Sequence, residues 1–461
     1  MLLCVITSGI IFTGTDNIQS IGAVALLGAA VVSAATALVV HRRPLRLLRL
    51  GIARSSRQIL PSLPILLLIG SISATWMFGG VVPVMINYGL MLISPPLFLL
   101  ATCAVCAAIS VLTGSSWTTV ATIGVAFMGI GSVLGYSPAW TAGAIISGAY
   151  FGDKVSPLSD TTVLASSTVG VSLFRHIRFN LVTALPAMLT ALAVFALKGI
   201  LSHSADGAQS GEMSVALARI FNLTPWVLAV PVITGVLIYL RVGTIVTLAV
   251  SSLLGLVSMF IFQPDVAAMI GGSPVRTAFG VMLTRTSLST GNDLLDPLVS
   301  TGGMEGMMVT LRLVVCAMVF GGVMMGSGMI SAITRAVSRR LRTARSIVSA
   351  TIGSGLLING FTGDQYLSII LNGNIFRKLY VRNGLRRRVL SRSLEDSVSA
   401  TSALIPWSSC GMAQSTVLGV ATLAYLPCAI FNLLCPLMLV AIAWIGYRIH
   451  TDSAPVVSAP A

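Results

Sequence analysis

Of the 13 acidic residues in this chain, Asp16, Asp206, Glu212, Asp265, Asp293, Asp296, Glu305 and Asp452 fall in segments that read as loops or tail. The other five, Asp153, Asp160, Asp364, Glu395 and Asp396, fall in or beside long apolar stretches. A carboxylate costs about 3 kcal/mol or more at the centre of a bilayer, so acids kept there face a cavity and serve an ion or proton path. Around the first pair the sequence runs Gly152-Asp153-Lys154-Val155-Ser156-Pro157-Leu158-Ser159-Asp160-Thr161. Gly152 and Pro157 are expected to interrupt a helix there, and an interruption frees backbone carbonyls. Those carbonyls, the hydroxyls of Ser156, Ser159 and Thr161, and the carboxylates of Asp153 and Asp160 make a set of hard oxygen ligands suited to Na+. A carboxyl taken out of water holds its proton more tightly, while a bound cation favours the ionised form, so Na+ and H+ compete for the same oxygens. Lys154 reads as a counter-ion held by Asp160, a charge filling the empty site, or a structural tie. The plainer alternative is a salt bridge of Lys154 with Asp153 and Asp160.

A second set of polar residues stands further along. Thr113-Gly114-Ser115-Ser116-Trp117 is matched by Thr362-Gly363-Asp364-Gln365-Tyr366, and Asp153-Lys154-Val155-Ser156-Pro157-Leu158-Ser159 by Asp396-Ser397-Val398-Ser399-Ala400-Thr401-Ser402, which share Asp-x-Val-Ser-x-x-Ser. The first pair is separated by 249 residues and the second by 243, in the same order in both halves, which implies a duplication with a gap of six. At the tips marked by Gly114, Ser115, Ser116 and Gly363, the polar groups of Ser115, Ser116, Thr118, Thr119, Asp364 and Gln365 are expected to complete the ion site from the other side, with ordinary capping or helix packing the equal alternative for the hydroxyls. Asp364, Asp396 and Ser399 join Asp153, Ser156, Asp160 and Thr161 as expected ion-path residues. Pro406 is expected to interrupt the second helix just after Asp396. Glu395 reads as an interfacial acid stabilised by Arg392, and Asn359 and Asn374 as helix-packing amides. The four His (His41, His176, His203, His450) are placed in loops or the tail, which leaves no His relay.

The elements that must hold these groups are membrane helices. Hydrophobic residues make up 55% of the chain and charged residues 9%, where a soluble domain carries about 25% charged. Runs such as Ile21 to Val40, Ile65 to Ile93, Leu181 to Leu197 and Leu426 to Ile445 are about the length a helix needs to cross a bilayer. The net charge of +15 sits mostly on Arg in short segments between those runs, so it reports topology and not a nucleic-acid partner. The cluster Arg42 to Arg57, and the loops containing Arg335 to Arg345 and Arg377 to Arg392, are assigned to the cytoplasm. Ser346 to Phe376 must then be a re-entrant hairpin, and Leu97 to Leu134 its counterpart entering from outside. The seven Cys are scattered and read as buried apolar residues, with no His or second Cys pair to complete a zinc site. Leu2 to Phe12 reads as a short first span without the basic flank of a cleaved leader.

The Gly148 to Thr162 segment, with Thr362-Gly363-Asp364 and Glu395 to Ser399, closely resembles the NhaC family of Na+/H+ antiporters, from about Ile59 onward. The resemblance implies an ion-transporter fold in which a mobile unit moves against a scaffold, often as a homodimer, in a bacterial plasma membrane. It leaves the substrate open between Na+/H+ exchange and Na+- or H+-coupled exchange of malate, lactate or amino acids, with Lys154 as the cation for an organic anion. The expected fold is an all-α polytopic membrane protein with inverted structural repeats, each holding a re-entrant hairpin and a broken transmembrane helix. Leading helices and a basic loop would occupy 1–57, the first repeat 58–205, connecting helices 206–305 and the second repeat 306–461, with both termini cytoplasmic. No cofactor is expected beyond transported Na+ and H+. The spans hold no catalytic constellation, which argues against an enzyme, and one broken-helix pair per half argues against a symmetric channel pore.

Overall fold

In the computed structural model of the chain, residues 18–60, 62–202, 215–240, 242–288, 296, 299–330, 332, 341 and 343–446 are described. The Leu2 to Phe12 span, the acidic stretch around Asp206 and Glu212, Arg241, Asp293 and most of the Arg335 to Arg342 loop lie outside these residues. Among the described residues the secondary structure is helical apart from a two-residue antiparallel pairing of Thr286 with Thr301 and Ser287 with Ser300. Among the described residues, six helices are long and apolar enough to span a membrane, or nine if each sharply bent pair is one span. Large apolar side chains such as Val31, Phe174, Leu201, Ile261 and Leu437 point outward, as lipid contact requires. The chain is an integral membrane protein.

The leading helix α1, Ile18–Ala35, continues through a π-helical turn to Val40. The Arg42 to Arg57 cluster is not a loop: Leu45–Ile59 forms helix α2, with Leu48 and Ser55 buried and most of its Arg outward. An amphipathic helix satisfies the same charge pattern as a loop by laying one face on protein and its Arg toward headgroups and water. The Ile65 to Ile93 run is interrupted at Gly79 and Gly80, where α3 (Ser62–Phe78) meets α4 (Val81–Leu92) at 66°.

Two similar units follow. In the first, α5 (Phe98–Thr113) and α6 (Ser116–Val133) form a hairpin. A helix broken between α7 (Pro138–Val155) and α8 (Asp160–Val169) comes next, and the long α9 (Leu173–Ser202) closes the unit. Next come α10 (Thr244–Phe262), two short helices at 80° to one another and α11 (Gly303–Gly326). The second unit repeats the plan. Its hairpin is α12 (Ala344–Thr362) and α13 (Gln365–Arg382). Its broken helix comprises α14, running from Arg387 through a π-helical turn Glu395–Ser399 to Ser402, and α15 (Ser409–Leu418). The Leu426 to Ile445 run is bent by 59° before α16 (Ile430–Ile445).

The landmarks of the two units lie 249 residues apart throughout. Gly114 and Gly363, both left-handed at φ 67° and 65°, end the first arms of the two hairpins. Ser115 and Asp364 cap the second arms. Ser159 and Ser408 cap the second halves of the broken helices, and Gly170 and Gly419 end them. Even the hydroxyl pairs correspond: Thr113 with Thr119 at 3.2 Å, Thr362 with Ser368 at 2.7 Å. This corrects the register of the second sequence match. The structural counterpart of Asp153 is Ser402 and that of Asp396 is Ser147, so the 243-residue offset and its gap of six are a coincidence of a short motif.

Helices in lipid associate by close packing and not by expelling water, so small residues sit at their contacts. Gly148 and Gly152 do this for α7 against α5: a Cβ on Gly148 would stand 2.2 Å from the Cys103 carbonyl, and one on Gly152 2.4 Å from Ser110 Cβ. Gly152 therefore lies inside a continuous helix and does not break it. The break begins at Ser156 and contains Pro157; Pro406 occupies the equivalent break.

Candidate functional site

The hairpin tip of each unit packs on the break of its own broken helix. A Cβ on Gly114 would lie 2.6 Å from the Leu158 backbone, and the Gly363 carbonyl accepts the Ser409 amide at 2.8 Å. The tips also reach across: Tyr366 of the second tip is near Asp153, Asp160 and Asp364, and Trp117 of the first is near Cys410. Two tips and two breaks thus converge on one polar region inside an apolar bundle. Broken backbone at such depth is tolerated only where protein or water covers it.

Asp153 lies three residues before the first break and is half-buried. The first tip holds it directly: the Ser116 hydroxyl donates to Asp153 Oδ2 at 2.6 Å and the Ser116 amide at 3.2 Å. Ser115 places Ser116 by capping α6 through the Thr118 amide at 3.2 Å. Asp160 is nearby at the exposed first position of α8, where a carboxylate is stabilised by the helix N-terminus. Ser159 faces Asp153, and its hydroxyl lies 3.0 Å from that of Thr161. Ser156 acts on the backbone instead: its hydroxyl donates to the Val111 carbonyl at 2.7 Å and accepts the Leu158 amide at 3.2 Å. It ties the break to the hairpin, and its side chain is spent on that tie. Asp364 likewise caps its own helix, accepting the Leu367 amide at 2.8 Å while buried.

Lys154 is tied structurally, one of the arrangements open to it, but to a partner other than those expected. It is buried and pairs across the two units with Asp396, not with Asp160 or Asp153. Thr183 of α9 donates to Asp396 Oδ1 at 3.3 Å, and Lys154 Nζ lies 3.6 Å from Cys435 Sγ. Asp396 Oδ2 has no hydrogen-bond partner among the described residues. A buried ion pair is costly to break by removing one partner, since the other is left uncompensated, so this pair fastens the units while both charges persist.

His176 is the clearest departure from the sequence reading. It lies inside α9, fully buried, and not in a loop. Its Nε2 accepts from Asn180 Nδ2 at 3.0 Å, which leaves the proton on Nδ1 for the Ser391 hydroxyl of α14. Asn180 also donates to the Lys154 carbonyl at 3.4 Å. The flanking Arg175 and Arg178 are exposed, and their charge disguised the inward face of the same helix. Glu395 is not interfacial: it and Arg392 are both fully buried. Arg392 stacks on the Phe179 ring at 4.3 Å and forms no ion pair with Glu395. Asn359 binds the Val398 carbonyl at 3.2 Å, whereas Asn374 is exposed and Asn372 packs instead, on the Thr351 carbonyl at 3.0 Å.

No group of three or more His, Cys, Asp or Glu converges to hold a metal among the described residues. A cation bound here would rest on one or two carboxylates supplemented by hydroxyl and carbonyl oxygens, a donor set that suits a hard, weakly held ion.

The Na+/H+ antiporter family profile matches residues 1–177 and 148–447. The chain is 38% identical to the Na(+)/H(+) antiporter NhaC of Alkalihalophilus pseudofirmus over 85% of its own length and 83% of that protein. It is 36% identical to the Na(+)/H(+) antiporter NhaC of Bacillus subtilis over 83% of each chain. To the malate-2H(+)/Na(+)-lactate antiporter of Bacillus subtilis it is 36% identical over 79% of its length and 76% of that protein.

Proposed function

The chain belongs to the Na+/H+ antiporter family, and from that premise we propose that it exchanges Na+ for H+ across a bacterial plasma membrane, with Asp153 as the exchanging carboxylate. The observation that carries this assignment is the hold of the first hairpin tip on Asp153, through two hydrogen bonds from Ser116. Those bonds orient one carboxylate oxygen and leave the other for an incoming ion. With Na+ bound the carboxylate is ionised and its charge is met; with the cation gone, the same group takes a proton from the opposite side. Because the tip and the break both contribute, any movement of one against the other alters the site, which couples occupancy to the exposure of one face or the other.

Asp160 stands at the exposed edge and attracts cations toward Asp153 through its charge. The Lys154–Asp396 pair joins the units behind the site and bears on their relative position. Both termini are assigned to the cytoplasm by the Arg clusters, and the halves to opposite orientations. The test is a vesicle assay in which addition of Na+, Li+, K+ or malate is followed by internal pH. Na+-dependent proton movement without organic solute, abolished by Asp153→Asn in a protein that still inserts, is the expected result. Unchanged exchange in that variant removes Asp153 from the mechanism.

A second reading, exchange of a small organic anion, is favoured by Arg392, a fully buried guanidinium whose three nitrogens have no hydrogen-bond partner among the described residues. A planar, forked donor of this kind matches a carboxylate. The cation for such a substrate would be Arg392, since Lys154 is already paired. Malate-driven proton movement that is lost in Arg392→Lys would favour this reading over the first.

A further inference from the structure

The polar core contains one fully buried acid for which the exchange described above has no use. Glu395 begins the π-helical turn of α14, and neither of its carboxylate oxygens has a hydrogen-bond partner among the described residues. Leaving a buried charge uncompensated is expensive, and the nearby cations do not resolve it. Lys154 is committed to Asp396, and Arg392 lies against Phe179.

What surrounds Glu395 is oxygen. The hydroxyls of Ser399, one turn on, and Thr161, from the first broken helix, lie beside its carboxylate without the geometry of a hydrogen bond. Ser399 Oγ is itself buried without a partner among the described residues. The π-helical turn spanning Glu395–Ser399 displaces the usual carbonyl-to-amide pairing by one residue, which presents carbonyl oxygen locally. Turns of this kind recur at functional sites. The other charged groups facing Glu395 are Lys154 and Asp153, and the Cys435 thiol is also near.

The geometry points to a second monovalent-cation site, formed by Glu395 and Ser399 of one half and Thr161 of the other, distinct from the site at Asp153. The ligand is a small, hard cation, and Na+ is the one the first site already admits. Thr161 is two residues from Ser159, which faces Asp153, so the two sites share the first break as a wall. Ions at the two sites sense one another's charge.

This rests on the ion-exchange reading and is tested by counting ions at equilibrium. The full chain, purified in detergent, is titrated with radiolabelled Na+ at alkaline pH. Two Na+ per chain are expected for the wild type, one each for Glu395→Gln and Asp153→Asn, and none for the double variant. If Glu395→Gln does not give a monodisperse protein, Thr161→Val with Ser399→Ala replaces it. That pair is expected to weaken one of the two binding events about tenfold, the loss of one or two hydroxyl ligands. A single Na+ in the wild type, lost in Asp153→Asn and kept in Glu395→Gln, overturns the second site and leaves ion exchange standing. Two Na+ retained in Glu395→Gln overturns it as well. No Na+ bound to the wild type would remove the exchange reading itself.

Discussion

Asp153 and Asp396 are both carboxylates in broken helices, yet the chain uses them differently, and the difference comes from their partners. Asp153 accepts from neutral donors at the junction of tip and break, the 2.6 Å bond from the Ser116 hydroxyl chief among them. A hydrogen bond to a charged group contributes about 1.5 to 3 kcal/mol. Ser116→Ala is therefore expected to raise the Na+ concentration for half-maximal exchange about tenfold or more without loss of folded protein. Transport kinetics in vesicles alongside size-exclusion profiles check it, and an unchanged half-saturation would show that the bond does not orient the site. Asp396 faces Lys154 with both side chains buried. Lys154→Met alone leaves Asp396 buried and unpaired, at a cost of about 3 to 5 kcal/mol, whereas removing both charges is far milder. Thermal unfolding in detergent should thus fall sharply for Lys154→Met and recover in Lys154→Met with Asp396→Leu. Equal destabilisation in the single and double variants would mean that the pair is not the fastening that its burial implies.

At the scale of elements, the two hairpin tips are alike in backbone and unlike in surroundings. Gly114 and Gly363 both adopt the left-handed conformation, which costs a residue with a Cβ about 1 kcal/mol. A Cβ at Gly114 would in addition meet the Leu158 backbone at 2.6 Å, whereas at Gly363 the nearest atom is Ala317 Cβ at 3.1 Å. Gly114→Ala is expected to lower both melting temperature and exchange rate more than Gly363→Ala, because only the former must push tip and break apart beside Asp153. Equal effects would assign the loss to backbone strain alone. The helix pairs and the breaks were legible in the sequence because charge parity demanded that the chain turn back within each apolar stretch and because Pro157 and Pro406 punctuate apolar runs. The register of the second break was not legible: Asp-x-Val-Ser-x-x-Ser is too short to outweigh the cap residues Ser159 and Ser408, whose roles emerge only from their hydrogen bonds. His176 and Glu395 were misplaced for one reason. Neighbouring Arg residues mark where a segment touches water, but on a helix they report one face, and the residue beside them points the other way. Arg density likewise made a loop of α2, whose buried Leu48 and Ser55 sit between the charges.

For the whole molecule, the 249-residue correspondence sets the same scaffold twice while the acids fall at unmatched positions, Asp153 against Ser402 and Asp396 against Ser147. In the proposed mechanism function is asymmetric on a nearly symmetric frame: the first unit supplies the exchanging carboxylate, while the second holds the partner of Lys154 and the buried Glu395. The proposed exchange requires that the two units, which share the Lys154–Asp396 pair and meet at their tips, tilt about that contact, with an ion at Asp153 biasing the tilt through Ser116. Asp160, at the exposed start of α8, reports that movement without being enclosed by it. In a chain whose native cysteines are replaced, Asp160→Cys is expected to react with a membrane-impermeant maleimide from one face, with Na+ changing the rate severalfold. Ser147→Cys, buried at the counterpart of Asp396, is expected to resist the reagent from both faces. If the rate at position 160 were the same at zero and saturating Na+ in a transport-competent protein, the ion would not be coupled to any rearrangement around α8, and the tilt of one unit against the other would have to be replaced by local gating at the tips.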